Sequence, residues 1–459
     1  MGQNGRCRYG PVLIKMNENH LFAKLIVVTF SLSLSISSHS ADLIQVFKLA
    51  ENNDQEYLQA LASHRAVLET RPQALSQLLP SVNLSAVTTR HDQDISTSRS
   101  AIGAGGEVNF NSRGYRLSVS QPLFRRDRFI ALDQADSEIN QAEAELGEAE
   151  QELIIRIAER YFDILASIDN LAFAKAELKS LSRQLEQANQ RFEVGLSAIT
   201  DVHEAQAGYD LAVAQEIQAL NAIDNAQEAM RELTGEYITD FNQLGEDMSL
   251  VNPEPAAIES WTALSLDQNL GVMAARYAAE TARKEIKRQS AGHLPTLDLV
   301  AAESYDSTGG RFGSTKLHDT SIGLELNIPI YSGGLVSSQT REAHENYNIS
   351  MYSLERARRS AQRLTREAYL GVMSGISRVK ALQQAVVSSE TALEATEAGF
   401  EVGTRTAVDV VASQRATSEA RRNHSQAKYE YILDTLNLKQ AAGTLAPEDL
   451  ESINAWLTK

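Results

Sequence analysis

Residues 191–202 have the sequence Arg-Phe-Glu-Val-Gly-Leu-Ser-Ala-Ile-Thr-Asp-Val, and part of this stretch returns 208 residues later. Phe192-Glu193-Val194-Gly195 recurs as Phe400-Glu401-Val402-Gly403, and Asp201-Val202 recurs as Asp409-Val410 at the same offset. Two matches at one spacing favour internal duplication of the chain over coincidence.

Further landmarks repeat in the same order on both sides of these motifs. They are residues 79–84 with 294–299, residues 121–124 with 328–331, and Gly235 with Gly443. The sequence therefore predicts two similar structural repeats and two connecting segments. We place the repeats at residues 42–236 and 261–445, and the connecting segments at 237–260 and 446–459.

Each repeat starts with a helical pattern and then changes to strands. Leu43, Val46, Phe47 and Ala50 have the spacing of one apolar helix face. After a proline the apolar residues alternate with polar ones, which is typical of a half-buried strand. We expect one β-hairpin per repeat, at about residues 81–122 and 296–330, with strands of about 8 to 10 residues. A polar stretch from about 89 to 113 would separate the first two strands.

A long helix is predicted after each hairpin, at residues 124 to about 190 and 335 to about 398. The first of these stretches contains no proline, and at 1.5 Å per residue it would span roughly 100 Å. After tips near 195–200 and 403–406, return helices should end near Gly235 and Gly443, because glycine is favoured just beyond a helix C-terminus. Such alanine-rich antiparallel pairs suit coiled-coil packing.

The charge balance and the N-terminal segment exclude several classes of protein. The chain has 43 Lys+Arg against 60 Asp+Glu and a net charge of -17, which argues against nucleic acid as a partner. Its longest apolar stretch, residues 25–36, is too short for a transmembrane helix and fits a signal peptide at residues 1–41. Cys7, the single cysteine, would leave with that peptide, so the exported chain should contain no disulfide.

No enzyme signature is found in the sequence. The glutamates at 143, 145, 148 and 150 form a cluster that is typical of a solvated helix face. The histidines beyond residue 41 are scattered, and none of them has the spacing of a zinc-protease helix. They are His64, His91, His203, His293, His318, His344 and His424. We therefore expect no catalytic residue, no metal and no cofactor.

The hairpins leave two interpretations open. Four strands cannot close a barrel, and an open sheet edge in hydrocarbon leaves backbone groups unsatisfied, so hairpins in a membrane would have to be pooled by several copies. Phe124 and Tyr331 occupy equivalent strand ends, where an interfacial aromatic girdle would lie. The alternative is a soluble or surface-attached coiled-coil scaffold whose sheet is covered by helices.

The chain beyond residue 41 resembles the TolC family of outer-membrane efflux channels. The resemblance is carried by four segments: residues 42–47, 191–202, 293–299 and 402–410. It implies a mainly helical fold with β-hairpins, in which a homotrimer builds a twelve-stranded outer-membrane barrel, continuous with a long periplasmic coiled-coil barrel. Residues 237–260 and the C-terminal segment would band that helical barrel at its equator.

The same resemblance implies a function and partners. The trimer would be a passive duct that exports drugs, toxic small molecules or proteins in tripartite efflux or type I secretion. A periplasmic adaptor (membrane fusion protein) and an inner-membrane transporter would supply energy and open the inner end, while outer-membrane lipid would surround the barrel.

By resemblance, the tips form the periplasmic entrance. Arg405 corresponds to an arginine that ties neighbouring helices through the positions of Thr200 and Asp201, and Phe400 belongs to the same gate. Asp409 corresponds to a member of the carboxylate ring that filters charge.

The turns themselves, at Gly195, Leu196, Gly403 and Thr404, are the expected adaptor contacts. The residues alone favour a simpler role, because glycine terminates helices and Thr406 with Asp409 resembles a capping box. Capping and gating are compatible roles.

Two positions depart from the best-known member of the family. That protein has a tyrosine in place of Phe400 and a second aspartate in place of Ala412. We therefore predict a weaker latch, and a filter of three Asp409 carboxylates in place of six. Fewer fixed charges should weaken the attraction for polyvalent cations.

Overall fold

A computed structural model of the chain describes four stretches: residues 41–96, 106–245, 248–310 and 313–458. Residues 1–40 of the predicted signal peptide, with Cys7, lie outside the described residues, and Ala41, its last residue, is the first that the structure describes.

Three short helices open the first repeat: α1 Leu43–Asn53, α2 Gln55–Leu68 and α3 Thr70–Ser76. The predicted apolar stripe of α1 is buried, as its spacing indicated. Asp42 and Asp54 cap α1 and α2 by accepting hydrogen bonds from backbone N–H groups of the first turn, at 2.7 Å each. Aspartate is a preferred residue at this position because it satisfies a donor that the helix leaves free.

The strands form two sheets. They are β1 Ser81–Ile95, β2 Gly106–Phe124, β3 Gln243–Leu244, β4 Thr296–Thr308, β5 Thr315–Asn327 and β6 Leu457–Thr458. The larger sheet is antiparallel with the order β1-β2-β4-β5, so each repeat contributes one hairpin and β2 joins β4 at the centre.

The predicted strand length of 8 to 10 residues is wrong. The four long strands have 15, 19, 13 and 13 residues. Of the described residues at 89–113, all but Ser96 belong to β1 and β2, where Arg90 pairs with Asn111. Pairing depends on backbone hydrogen bonds, so the ladder continues after the apolar alternation stops. Alternation of apolar and polar residues therefore identifies only the part of a strand that lies in apolar surroundings, and not its full length.

The remaining helices include two very long ones. They are α4 Arg126–Glu193, α5 Ile199–Thr234, α6 Ile258–Gln268, α7 Leu270–Ser290, α8 Leu335–Glu401, α9 Ala407–Ala442 and α10 Pro447–Asn454. The helices α4 and α8 have 68 and 67 residues and pack against α5 and α9, respectively, as helical hairpins. The prediction of a mainly helical chain with two β-hairpins is confirmed.

Glycines end both return helices. Gly235 and Gly443 are left-handed, with φ of 72° and 78°. At Gly443 a Cβ atom would lie 2.2 Å from the backbone oxygen of Gln268, so the close approach of the chain also requires glycine. Among the described residues, no helix combines the length and the apolar character that a membrane crossing needs.

The main apolar core lies where α1, α4, α9 and α10 meet the segment after α5. In this core the Tyr161 hydroxyl donates to the backbone oxygens of Ala41 and Asn242, at 3.2 and 2.9 Å. Strand β3 pairs with β6, so the two predicted connecting segments, 237–260 and 446–459, meet in one small sheet.

Candidate functional site

One face of the larger sheet is apolar across all four strands. Val82, Val119, Ala301 and Ile322 are successive cross-strand partners in a single row. Val82 and Ile322 expose 64% and 79% of their surface. Exposed apolar residues at every second position of neighbouring strands form a continuous patch, which marks contact with a partner or a membrane.

Aromatic side chains border this apolar face at two levels. Tyr115 and Tyr305 are cross-strand partners with ring centroids 5.8 Å apart, and Phe124 lies opposite Leu297 at the other end of β2. Nine residues separate Tyr115 from Phe124, roughly 30 Å along the strand, or about 23 Å along the axis of a barrel at the usual tilt. That spacing matches the apolar band of an outer-membrane barrel. Glu303 also lies on this face, close to the tyrosine level.

The first helical tip connects α4 to α5. Gly195 is left-handed with φ 76°, and the backbone N–H of Leu196 donates to the oxygen of Arg191 at 2.8 Å. This six-residue closure satisfies carbonyls that the helix end leaves free. Ala198 is the N-cap of α5 and provides no side-chain cap. The Leu196 side chain is exposed beyond the turn.

The second tip repeats the turn with a different cap. Gly403 has φ 78°, and the N–H of Thr404 donates to the oxygen of Gly399 at 2.8 Å. Thr406 and Asp409 form the predicted capping box: the Asp409 carboxylate accepts from the Thr406 N–H and hydroxyl, both at 2.9 Å. These hydrogen bonds, with the nearby Arg405 charge, hold the pKa of Asp409 below its ordinary value.

An aromatic contact joins the two tips within one chain. The guanidinium carbon of Arg191 lies 4.4 Å from the ring centroid of Phe400. Arginine over an aromatic face is attracted by the ring quadrupole. This contact was not predicted, because no spacing along the chain shows that the ends of α4 and α8 are neighbours.

Polar contacts between α4 and α9 continue this connection above the tips. Asp169 accepts hydrogen bonds from the hydroxyls of Tyr429, at 2.8 Å, and Ser425. Arg422 lies 3.8 Å from the buried carboxylate of Glu177. The two helical hairpins of one chain are therefore joined along their length as well as at their ends.

The predicted gate residues are only partly brought together. Thr200 and Asp201 lie in the first turn of α5, and Arg405 lies in the second tip, where its Cγ atom would contact a Cβ placed on Gly399 at 2.8 Å. Within the described part of one chain, no hydrogen bond or ion pair links Arg405 to Thr200 or Asp201. The side chain of Arg405 is exposed and therefore available to another molecule.

In the described stretches, no group of three or more histidine, cysteine, aspartate or glutamate side chains has the arrangement of a metal site. The distinctive features are instead an apolar sheet face with aromatic borders and two helices of 68 and 67 residues, each about 100 Å long. These features define a channel protein of the outer membrane.

The chain belongs to the outer membrane efflux protein family, whose pattern matches residues 46–236 and 261–444. It is 37% identical to outer membrane protein TolC of Vibrio cholerae over 429 residues, which cover 93% of this chain and 96% of that protein. The alkaline protease secretion protein AprF of Pseudomonas aeruginosa is 28% identical over 93% of this chain and 89% of its own length. The resemblance to the TolC family is thereby confirmed.

Among solved structures, the outer membrane protein VceC of Vibrio cholerae superposes with a TM-score of 0.73 at 20% identity. The match covers 87% of this chain and 96% of that chain. This similarity supports the fold, in which a sheet of hairpins is followed by long helical hairpins.

Proposed function

We propose that three copies of this chain form a passive duct through the outer membrane and periplasm, which exports small molecules or proteins without chemistry of its own. The apolar, aromatic-bordered sheet face carries this proposal. Its surroundings are lipid, because an aqueous solvent would penalise so much exposed apolar surface on neighbouring strands.

The width of the barrel favours three copies over two. Two copies would supply eight strands, and side chains fill the interior of an eight-stranded barrel. Three copies supply twelve strands, which leave room for a water-filled lumen. Each added copy also covers one open sheet edge of its neighbour, as hydrocarbon requires.

The tips supply the gate at the periplasmic end. We assign Arg405 to a bond between copies, with Thr200 and Asp201 of the neighbour as acceptors. Asp201 supports this role because, in the described residues of one chain, no side chain donates to it. Phe400 lacks the hydroxyl of the family's tyrosine. Its contact with Arg191 replaces the hydrogen bond that this hydroxyl would make.

Three Asp409 carboxylates, one per copy, would line the entrance as a charge filter. The capping box fixes each carboxylate, and the lowered pKa of Asp409 keeps it ionised. Ala412, one turn further, adds no charge, so the filter should attract polyvalent cations less strongly than a double ring.

The exposed turns are the proposed contacts of a periplasmic adaptor, which connects the duct to an inner-membrane transporter. Gly195 with Leu196 and Gly403 with Thr404 present open surface, since a Cβ atom on either glycine would meet nothing within 4 Å. The secretion function of the AprF relative supports proteins as a class of cargo, and the family supports small molecules.

Planar-bilayer recording of the purified protein tests the proposal. We expect discrete, ion-conducting channels from protein that requires detergent for extraction from the outer membrane. Replacement of the outward Val82 and Ile322 by arginine should prevent insertion, whereas arginine at the inward-facing Ser85 should not. Water-soluble protein without conductance would instead support a coiled-coil scaffold.

A further inference from the structure

The two hairpins have the same register under the internal duplication. In the first hairpin Ser81 pairs with Ser120. The equivalents of these residues in the second repeat, Thr296 and Asn327, pair with each other as well. The matches at 79–84 and 121–124 define which residues correspond between the repeats. Within the strands this correspondence therefore holds residue by residue.

The central junction of the sheet joins the second strand of one hairpin to the first strand of the next. In this junction, between β2 and β4, Ser120 lies opposite Val300 and Phe124 lies opposite Leu297 after a register shift. A junction between copies would join β5 to β1, which is again a second strand against a first strand.

The end of β5, at the open edge of the sheet, is shorter and more exposed than the equivalent end of β2. Strand β2 continues to Phe124, where β4 accompanies it, whereas β5 stops at Asn327, four residues before the equivalent Tyr331. Ile330 and Tyr331 are 89% and 88% exposed, against 46% and 41% for their equivalents Leu123 and Phe124. Phe124 has the strand partner Leu297 in β4, whereas Ile330 and Tyr331 have no strand partner in the described residues of one chain.

We propose that β5 of one copy pairs with β1 of a second copy in the register of the central junction, with Asn327 opposite Ser85 and Tyr331 opposite Val82. This inference rests on the proposed function, since it specifies how the copies join. Residues 328–331 then extend β5 as residues 121–124 extend β2.

The apolar pattern supports this register independently. A shift by one residue would turn the strand over, whereas the proposed register sets Leu326 opposite Ala86 and keeps both on the apolar face. Registers shifted by two residues also leave each side chain on the same face of the sheet, so they are the competing alternatives.

The two kinds of junction differ in one interaction. At the base of the central junction, Arg125 forms a two-pronged ion pair with Asp298, with distances of 3.1 and 2.6 Å. The equivalents of these residues are Ser332 and Asn83, so the junction between copies has no ion pair at this place. It is held there by backbone pairing and apolar contacts.

Cysteine cross-linking in the full chain with Cys7→Ser tests the register. The variant with Ser85→Cys and Asn327→Cys should give a covalent oligomer after mild oxidation, on gels without reductant. Asn327→Cys with Asn83→Cys or with Val87→Cys should give at least about tenfold less, because neighbours displaced by two residues exceed the reach of a disulfide. The matched control is Ser120→Cys with Val300→Cys, which should close within one chain.

The outcomes separate the register from the proposed function. The register alone would be wrong if Asn327→Cys cross-linked most strongly with Asn83→Cys or Val87→Cys. It would also be wrong if Ser85→Cys gave no cross-link although the oligomer and the control disulfide form. Protein that remains a monomer in detergent would overturn the proposed function.

A charge exchange gives a second measurement that needs no thiol chemistry. Asn83→Asp with Ser332→Arg should recreate the ion pair between copies and raise the temperature at which the oligomer dissociates by more than the two single changes together. Asn83→Lys with Ser332→Arg should lower that temperature. The register would be wrong if the dissociation temperature were higher with Asn83→Lys and Ser332→Arg than with Asn83→Asp and Ser332→Arg.

Discussion

The two helical tips share one backbone turn but place their arginines differently. The first tip has Arg191 at the end of its long helix and Ser197 in the loop, whereas the second has Gly399 and Arg405 at the equivalent positions. Arg191 reaches Phe400 within the same chain. The side chain of Arg405 extends over Gly399 into solvent. One arginine therefore joins the hairpins of a chain, and the other is exposed.

The carboxylates of the tips show a second difference. Asp201 and Asp409 are equivalent, but Asp409 is held by the capping box of Thr406, and Ala198 in the first tip provides no such cap. One turn further, the first tip has Glu204 where the second has Ala412. The two repeats therefore share the turn but differ in the cap: Asp409 is held by Thr406, whereas Asp201 has no such partner at the N-cap.

The largest effect is expected from Arg405→Ala. Without the guanidinium the proposed bond to Thr200 and Asp201 of the neighbour is lost, so single-channel conductance should rise several-fold while the thermal unfolding midpoint stays the same. Arg421→Ala is the control, because its bond to Glu390 lies within one hairpin. Unchanged conductance in the Arg405 variant would remove it from the gate.

Ala412→Asp would give the second tip the paired carboxylates of the first. Each copy then adds one negative charge beside Asp409, and block by a trivalent cation such as hexaamminecobalt should become about tenfold tighter, or about 1.4 kcal/mol. Ala412→Asn has the same size without the charge and should leave the block unchanged. Equal block in the parent and the aspartate variant would contradict the filter.

Phe400→Ala removes the contact between the tips. An exposed cation–π contact contributes about 0.5–1 kcal/mol, so amide hydrogen exchange in the last turns of α8 should become about two- to fivefold faster. Phe192→Ala changes the equivalent ring of the first tip and should have a smaller effect, and Phe400→Tyr should restore protection. Equal acceleration by both alanine variants would show that Arg191 contributes nothing.

The smallest effect concerns the pH dependence of the filter. A carboxyl with a lowered pKa stays ionised to lower pH, and the stability that it contributes is lost only as the pH falls through the folded-state value. Thr406→Ala removes the hydroxyl that donates to Asp409, so cation block should weaken at a higher pH than in the parent channel.

Thr404→Ala is the matched control for this change, because the Thr404 hydroxyl donates to Gly399 and not to Asp409. Identical titration of cation block in the Thr406 variant and in the parent would mean that the capping box does not set the pKa.

The helices and the turns could be predicted because local signals specify them. Proline-free stretches with apolar stripes gave α4 and α8, and glycines marked both tips and both ends at Gly235 and Gly443. The strands were underestimated because their outer parts carry polar residues, and backbone pairing does not depend on apolar side chains. The pairing of β2 with β4 involves residues far apart in sequence, which periodicity does not reveal.

The candidate site could also be predicted only in part. The capping box of Thr406 with Asp409 follows from a spacing of three residues and was predicted. The contact of Arg191 with Phe400 depends on how α4 and α8 pack and had no signal along the chain. The bond of Arg405 to Thr200 and Asp201 stays a prediction, since it involves a second copy.

In the proposed duct, separate chains pool their hairpins into one closed wall. Native mass measurement of the detergent-extracted protein, made on the same sample that is recorded in a planar bilayer, tests it most directly. We expect a complex of three chains that conducts ions. A single chain that keeps its β-structure in aqueous buffer and gives no conductance would contradict it.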